Sequence, residues 1–127
     1  MSDVIFNTGK IHLKANQIAC LEYRKVRLYG EVIQIIPRRQ ICWFRPIYLI
    51  DSRLNQASLS NDFIVDLRAG SDLLWPEILF RPALDTEVLD FLAQLNEIDH
   101  TAHRRLSSQK YLNNFLYEVW QSHQDKF

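Results

Sequence analysis

The chain has 127 residues and a formal net charge of zero, and 47% of its residues are hydrophobic while 24% are charged. This composition is that of a globular protein and excludes the intrinsically disordered class, and the length suits one domain of the commonest size. No apolar run approaches the roughly 20 residues that cross a bilayer, and the opening Met1-Ser2-Asp3-Val4 has neither the basic nor the apolar part of a signal peptide. We therefore expect a single cytoplasmic domain over residues 1–127, with no insertion into a membrane.

Charge is distributed unevenly along the chain. Residues 1–53 contain nine Lys and Arg against four Asp and Glu, whereas residues 54–127 contain six against eleven. Such an asymmetry guides an anionic partner to the basic half, supports head-to-tail association, or lets the two halves attract each other within the fold. We favour attraction within the fold.

The two cysteines, Cys20 and Cys42, lie in apolar segments of the sequence. Free cysteine packs as a small hydrophobic residue, and the cytosol keeps thiols reduced. We therefore expect two buried, reduced thiols, with a disulfide as the less favoured alternative.

The first half of the chain is predicted to form β-strands. Short stretches rich in Ile, Val, Leu and aromatic residues are typical of strands. These stretches are Val4–Phe6, Ile11–Leu13, Ile18–Tyr23, Val26–Ile36 and Ile41–Ile50. Gly9 and Asn16-Gln17 are the predicted turns between the earlier ones.

The clearest local pattern is a hairpin around Pro37-Arg38-Arg39-Gln40, because proline suits a turn and cannot donate to a strand ladder. Gly30 in the first arm indicates a bulge or a close approach of two backbones. Alternation in the second arm predicts one face with Ile41, Trp43, Arg45, Ile47 and Leu49, and another with Cys42, Phe44, Pro46, Tyr48 and Ile50. Both faces are largely apolar, so both require cover, from a small barrel, from overlying helices or from a second copy of the chain.

The segment after the hairpin is more polar. Residues 51–62 are predicted to form an exposed loop. Phe63–Leu67 follows as a further strand, and Asp72–Trp75 is predicted to form one helical turn that ends at Pro76. The segment Leu73–Leu84 is apolar and interrupted by prolines, so it is either buried beneath the helices or covered by a partner, and we favour burial.

Two amphipathic helices are predicted after residue 84. Asp85 is the predicted N-cap of the first, Glu87 lies in its first turn at the positive end of the helix dipole, and the helix ends near residues 97–99. The second helix runs from about Thr101 or Ser108 to His123. Apolar residues recur at helical spacing at Val88, Phe91, Leu92 and Leu95 in the first and at Leu112, Phe115, Leu116 and Val119 in the second, where Tyr111, Tyr117 and Trp120 widen the stripe.

The predicted fold class is therefore α+β. We expect an antiparallel sheet or small curled barrel of about five or six strands, mainly within residues 1–84, followed by two C-terminal amphipathic helices within residues 85–124.

The sequence contains no recognisable catalytic motif. A nucleophile elbow, a phosphate-binding loop and a dinucleotide fingerprint are all missing, and three glycines in the whole chain cannot form a glycine-rich cradle. The best metal-binding candidate is Glu97-x-x-His100-x-x-His103, since residues three apart share a helix face and these side chains suit zinc. Histidines near helix ends are more often plain surface residues, so we predict no catalytic residue, no metal and no cofactor.

Arginine interleaved with aromatic residues surrounds the predicted hairpin. The members are Arg24, Lys25, Arg27, Arg38, Arg39, Arg45 and Arg53, with Tyr23, Tyr29, Trp43 and Tyr48 between them. This combination is typical of nucleic-acid binding, where guanidinium meets phosphate and rings stack on bases, and also of protein-interface hot spots. A near-neutral chain argues against a dedicated nucleic-acid binder, so we favour a protein interface, although aromatic residues lie in the core more often than in a site.

Three strings resemble a family of short cyanobacterial proteins, some of which are accessory factors in type IV pilus assembly. The strings are Gln40-Ile41-Cys42-Trp43-Phe44-Arg45-Pro46, Leu73-Leu74-Trp75-Pro76 and Phe80-Arg81-Pro82-Ala83-Leu84-Asp85. The resemblance implies a cytosolic, non-enzymatic adaptor that contacts other proteins, such as an RNA chaperone or an assembly ATPase. It carries no binding residues with it, because the family supplies no site motif to align.

We therefore predict a non-enzymatic adaptor for protein–protein interaction or assembly, with a homodimer as a further expectation. The expected interaction surface comprises Arg38, Arg39, Trp43, Arg45, Tyr29 and Tyr48. A small-barrel binder of RNA or single-stranded nucleic acid is the first alternative, and a metal-dependent enzyme is the second.

Overall fold

The computed structural model describes residues 13–54, 63–89 and 102–127. Six strands lie in these ranges: β1 (Ile18–Tyr23), β2 (Val26–Ile36), β3 (Ile41–Asp51), β4 (Phe63–Asp66), β5 (Leu73–Pro76) and β6 (Arg81–Pro82). Helix α1 begins at residue 85 and is described through residue 89, and α2 spans Ala102–Ser122. Short 3₁₀ helices span Ser52–Leu54, Glu77–Leu79 and Gln124–Lys126.

Several predictions fall on other parts of the chain. The strand Val4–Phe6, the turn at Gly9, most of Ile11–Leu13, most of the polar loop and the end of the first helix lie outside the described residues.

The strands form one antiparallel sheet in the order β4-β3-β2-β1-β6, with β5 also paired to β3. Along β3, the first half pairs with β5 and the second half with β4, so these two short strands follow each other along one edge. Among the described strands, neither β4 nor β5 pairs with β6 at the opposite edge, and the sheet does not close into a barrel. The α+β prediction is confirmed in its form with an open antiparallel sheet.

The strands of both central hairpins begin where the sequence predicts, but β3 ends at Asp51, one residue beyond the predicted Ile50. Asp51 is 2% exposed, so it does not belong to the exposed loop predicted for residues 51–62. The β1–β2 turn consists of Arg24 and Lys25, whose φ angles of 49° and 64° are those of a type I′ turn. The β2–β3 turn is the predicted segment 37–40, in which Gln40 has a φ of 53°. Asn16, with a φ of 71°, lies in the predicted turn before β1.

Register shifts interrupt the long β2–β3 ladder at two places. One shift lies at Gly30, since Tyr29 pairs with Tyr48 whereas Gly30 pairs with Pro46. The extra residue on β3 is Ile47, and it reverses the alternation of side chains along the strand. The uninterrupted alternation predicted for the second arm is therefore wrong beyond this point.

The reversal divides the apolar residues of the hairpin between two clusters. Cys42, Phe44 and Leu49 face one side of the sheet, and Tyr48 and Ile50 face the other. On the first side α2 covers the sheet, because Leu112, Phe115 and Val119 are buried in the same cluster. The apolar sequence predicts that both faces of the hairpin are covered. Around residues 48–50 of β3, both faces are indeed buried by other parts of the same chain.

At Gly30, β3 also approaches β2 closely. A Cβ atom at this position would lie 2.4 Å from the Arg45 carbonyl oxygen and 2.5 Å from Cζ of Phe44. The buried Phe44 ring thus lies across the glycine and packs on Phe80 at a centroid distance of 4.7 Å. Both the bulge and the close approach predicted for Gly30 are confirmed.

Leu73–Pro76 is the strand β5, so the helical turn predicted for Asp72–Trp75 is wrong. β5 pairs with the first half of β3, and its Leu73 and Trp75 side chains pack against the α2-covered core. Pro76 ends the strand and is followed by the 3₁₀ helix. Local sequence did not reveal the strand because its only described hydrogen-bonded neighbour is β3, far away along the chain.

Burial of the apolar segment Leu73–Leu84 is confirmed only in part. Leu79 and Phe80 are completely buried, but Leu74 and Leu84 remain 59% and 65% exposed.

Helix α1 begins one residue earlier than predicted, because Leu84 and not Asp85 is its N-cap. The Leu84 carbonyl accepts hydrogen bonds from the backbone N–H groups of Glu87 and Val88. Glu87 accepts a 2.8 Å bond from the Leu84 N–H in return, which is the carboxylate half of a capping box. Helix α2 confirms the predicted second helix, but the aromatic residues predicted to widen its buried stripe are exposed: Tyr111 at 36%, Tyr117 at 57% and Trp120 at 43%.

The same Glu87 carboxylate joins α1 to the sheet. Arg81 donates to it at 2.9 Å and also to Glu22 of β1 at 3.0 Å. Tyr29 of β2, which belongs to the second cluster, donates its hydroxyl to Glu87. One largely buried carboxylate therefore links a helix end directly to β2 and β6, and through Arg81 to β1.

Partial burial raises the pKa of Glu87, but hydrogen bonds from Arg81, the Leu84 N–H and Tyr29 together outweigh that effect and hold the pKa at about 2. The charged carboxylate is thus the form that the fold requires. Within the described ranges, no helix is both long and apolar enough to cross a membrane.

We expect Gly30→Ala to destabilise the protein by about 1–3 kcal/mol, because the methyl group meets backbone and a buried ring that cannot move aside. Gly70→Ala is the matched control. Its Cβ would lie 3.1 Å from the Gln109 side-chain oxygen and 3.3 Å from the Leu67 carbonyl oxygen, and the glutamine can move. Urea unfolding of both variants measures the difference, and equal losses would contradict the close approach at Gly30.

We also expect stability to fall in acid through Glu87. Its pKa is lower in the fold than its ordinary value of 4.5, so the stabilisation is present above pH 4.5 and is lost as the pH falls towards 2. The difference corresponds to about 3 kcal/mol at neutral pH.

Chemical unfolding between pH 7 and pH 3 tests this prediction with Glu87→Gln, which should be less stable at pH 7 and lose less stability on acidification. Asp85→Ala is the control for the helix end, and it should cost no more than a few tenths of a kcal/mol because Asp85 is not the cap. A Glu87→Gln variant with the pH dependence of the unaltered protein would show that the network is energetically unimportant.

Candidate functional site

The outer half of the central hairpin presents an exposed sheet face opposite the α2-covered core. Ile41 lies between Ile36 of β2 and Pro76 of β5, and Trp43 pairs with Leu74. Directly paired residues point to the same side of a sheet, so these side chains share one surface. We call this surface the hairpin face, and it comprises Ile36, Ile41, Trp43, Arg45, Leu74 and Pro76.

Alternation along β3 separates the hairpin face from the core. Cys42 and Phe44 are completely buried beneath α2, while Trp43 is half-buried and the Arg45 side chain is 53% exposed. Leu74 is the most exposed apolar residue of the face, at 59%. On the same side of the sheet as the hairpin face, the half that contains Tyr29 and Tyr48 is buried in the second cluster. The hairpin face is the remaining, exposed half of that side.

One carboxylate holds the polar groups of the hairpin face in place. The Trp43 indole N–H donates to Asp72 at 2.9 Å, and Arg45 donates to both oxygens of the same side chain at 3.0 Å. Hydrogen bonding from Arg45, with a further bond from Trp43, lowers the pKa of Asp72 despite some desolvation. Asp72 therefore stays charged and fixes both side chains in one orientation.

Sequence reasoning missed Asp72 as a site residue. It placed Asp72 in a helical turn, where the side chain has no relation to the hairpin. The contact depends on the pairing of β5 with β3, which brings the residue before β5 next to Arg45.

The hairpin tip carries Arg38 and Arg39, and both are exposed. The Arg39 N–H donates to the Ile36 carbonyl at 3.3 Å and the Gln40 N–H to the Pro37 carbonyl at 3.2 Å, so the turn is ordered by its own backbone. Among the described residues, no carboxylate lies within ion-pair distance of either guanidinium. These two charges are available to a partner.

Tyr29 and Tyr48 do not belong to the surface on which the sequence analysis placed them. Both are completely buried, and their rings stack on each other at 4.9 Å in the second cluster. The extra residue in β3 turns Tyr48 towards the covered half, where it meets Tyr29 on the neighbouring strand. These two residues support the fold and offer no exposed ring to a partner.

The cysteines have the environment of structural residues. Both are free and buried, as predicted, and burial raises the pKa of each thiol to about 12. A neutral thiol is a poor nucleophile.

No group of three His, Cys, Asp or Glu within the described part of the chain is arranged to hold a metal ion. Of the weak metal candidate, Glu97 and His100 lie outside the described residues and His103 lies in α2, so that candidate stays a prediction.

Comparison of the chain with protein-family models, with curated proteins and with solved structures finds no significant match.

Proposed function

We propose that the protein is a non-enzymatic adaptor that binds a protein partner through the hairpin face and the arginine tip. The observation that carries the proposal is the exposed apolar and aromatic surface on one side of β3, beside two uncommitted guanidinium groups. Its polar members, Trp43 and Arg45, are already oriented by Asp72. An oriented surface loses less side-chain entropy when a partner binds.

The composition of the surface agrees with a protein partner. Trp and Arg are the residue types that dominate interface hot spots, and Leu74 and Ile41 provide apolar area around them. Arg38 and Arg39 at the edge favour a partner with acidic residues beside its apolar ones. Charged residues at such a rim mainly increase the rate of association.

The resemblance to cyanobacterial accessory factors supports a cytoplasmic role in type IV pilus biogenesis, with an RNA chaperone or an assembly ATPase as the class of partner. A cytoplasmic adaptor is also consistent with two reduced thiols.

Binding of RNA or single-stranded nucleic acid remains the alternative, since Trp43 and the arginines suit a base and its phosphates. Asp72 disfavours it. This carboxylate neutralises Arg45 and engages the Trp43 N–H, so among the described residues of the face and tip only Arg38 and Arg39 have no acidic partner. A groove that follows a phosphate backbone needs more positive charge than two tip residues provide.

The double substitution Arg38→Glu with Arg39→Glu should leave the fold intact and weaken partner capture at least tenfold, since both side chains lie at an exposed turn. The measurement is affinity capture from the native host on immobilised protein, with each captured protein quantified by mass spectrometry. Arg24→Glu with Lys25→Glu is the matched control, because it reverses two adjacent charges in the turn at the opposite end of β2. Captured proteins lost with the tip variant and retained with the control identify the partner, whereas identical capture by all three proteins would refute the proposed surface.

The substitution Asp72→Asn distinguishes a protein-binding face from a nucleic-acid-binding face. Removing this charge frees Arg45, so an RNA-binding face should bind a fluorescent oligouridylate more tightly, with a steep loss of affinity as salt increases. For a protein-binding face we expect no measurable oligouridylate binding by the unaltered protein or by Asp72→Asn, together with weaker partner capture because Trp43 and Arg45 lose their orientation. Salt-sensitive oligouridylate binding by the unaltered protein that tightens in the variant would favour the nucleic-acid alternative.

A further inference from the structure

The outer edge of β5 is the side of that strand that lies away from β3. β5 pairs with β3 along its other side, in a register that places Leu74 opposite Trp43. The Glu77 N–H donates to the Gln40 carbonyl at 2.9 Å, and this pair continues the same register by one step. Hydrogen-bonded pairs alternate in an antiparallel ladder, so Leu74 and Trp43, three steps along, are not bonded to each other.

The Leu74 N–H and C=O therefore point out of the sheet, away from β3. Among the described residues, none bonds to either group, and the Leu74 side chain is 59% exposed. Pro76 lies two residues on at the same kind of position, which suits a residue that has no N–H to donate, and its carbonyl also points outward. A strand edge with open backbone groups is a template for pairing with another chain.

We propose that the partner of the hairpin face is an extended peptide segment that adds a strand to the outer edge of β5. This inference rests on the proposed adaptor function and specifies the chemistry of its partner. The Leu74 N–H and C=O need an acceptor and a donor at the spacing of a peptide backbone, which an extended chain supplies. The added residue opposite Leu74 points to the same side as Leu74, so an apolar side chain there extends the hairpin face.

The arginine tip specifies the direction and the charge of the added strand. β5 runs towards the tip, because it is antiparallel to β3, which begins there. The described sheet is antiparallel throughout, so an added strand that continues the pattern runs away from the tip and has its amino-terminal end near Arg38 and Arg39. Both arginines are exposed, and neither has an acidic partner among the described residues.

We therefore expect a partner segment in which one or two Asp or Glu residues precede alternating apolar residues. Neighbouring strands lie about 5 Å apart, so the added strand lies about 10 Å from β3, a distance that an arginine and a glutamate side chain span together. Glu77, the carboxylate that follows β5, is already engaged by the Leu13 N–H at 3.3 Å.

A second copy of the chain suits this edge less well than a different protein. Two β5 strands paired about a two-fold axis at Leu74 bring each arginine tip towards residues 68–71 of the other copy. That segment contains no carboxylate and adds a further arginine. Pro76 would also lie opposite Asp72 of the other copy and could not donate to it.

Leu74→Pro tests the edge in the full-length protein, because it removes the outward N–H without removing a bond to β3. Leu74→Ala is the matched control, since it also loses the leucine side chain but keeps the N–H. In affinity capture from the native host, we expect Leu74→Pro to retain at least tenfold less partner than Leu74→Ala. Circular dichroism and thermal unfolding establish that both variants are folded.

This comparison separates the added strand from the adaptor function. Equal capture by Leu74→Pro and Leu74→Ala, with a loss in Arg38→Glu with Arg39→Glu, would overturn the added strand and leave the adaptor function supported. Identical capture by every variant would overturn both.

A direct test uses the unaltered protein and a phage-displayed library of random twelve-residue peptides, and it decides the question even if Leu74→Pro does not fold. We expect the selected peptides to carry acidic residues before alternating apolar ones. The tightest binder is then synthesised with one backbone N-methyl group at a time. Every second substitution should weaken binding at least tenfold in fluorescence anisotropy, because alternate N–H groups of an added strand face β5, and the substitutions between them should have little effect.

Three results would overturn the proposal. The first is a set of N-methyl substitutions with no period of two. The second is a library without any binder that is weakened by Arg38→Glu with Arg39→Glu. The third is a dimer in sedimentation equilibrium that Leu74→Pro dissociates and Leu74→Ala does not, since the edge would then belong to a second copy of the chain.

Discussion

The fold depends on β3, because this strand pairs along both of its edges and carries apolar side chains on both of its faces. A strand of this kind cannot be stable with only one layer of cover. The extra residue at Ile47 resolves the constraint by turning the two halves of the strand in different directions. Phe44 and Leu49 consequently meet α2, while Tyr48 meets Tyr29 on the opposite side.

Gly30 and Glu87 complete this arrangement at two places. Gly30 gives the Phe44 ring room to cross β2 next to the bulge. Glu87 uses its two oxygens to cap α1 and to bind Arg81 and Tyr29, so the second face is tied to the helix that follows the sheet. The half of this side that lies nearer the hairpin tip has no comparable link to a helix among the described residues. The hairpin face is therefore exposed there.

In the described part of the chain, the hairpin face remains exposed after the core is formed. The hairpin face is apolar with arginine at its rim, and Asp72 fixes the orientation of its polar members.

The sequence by itself determined the strands of the hairpins, the second helix and the buried state of both cysteines, because these depend on local composition and short-range periodicity. Gly30 was recognised as special for the same reason, since a glycine inside a strand commonly marks a bulge or a close approach of two backbones. The exposed position of Arg38 and Arg39 could also be predicted, because Pro37 favours a turn at this point of the sequence.

Only the tertiary structure decided which aromatic residues are exposed. One extra residue in the ladder moved Tyr48 from the side of Cys42 and Phe44 to the opposite side, where it is buried against Tyr29 in the second cluster. Period-two reasoning cannot see a bulge that depends on the partner strand. Asp72 joined the hairpin face because β5 pairs with a strand distant in sequence. Trp120 stayed outside the core because the width of the buried stripe on α2 is set by the sheet beneath it, and nothing within the helix sequence specifies that width.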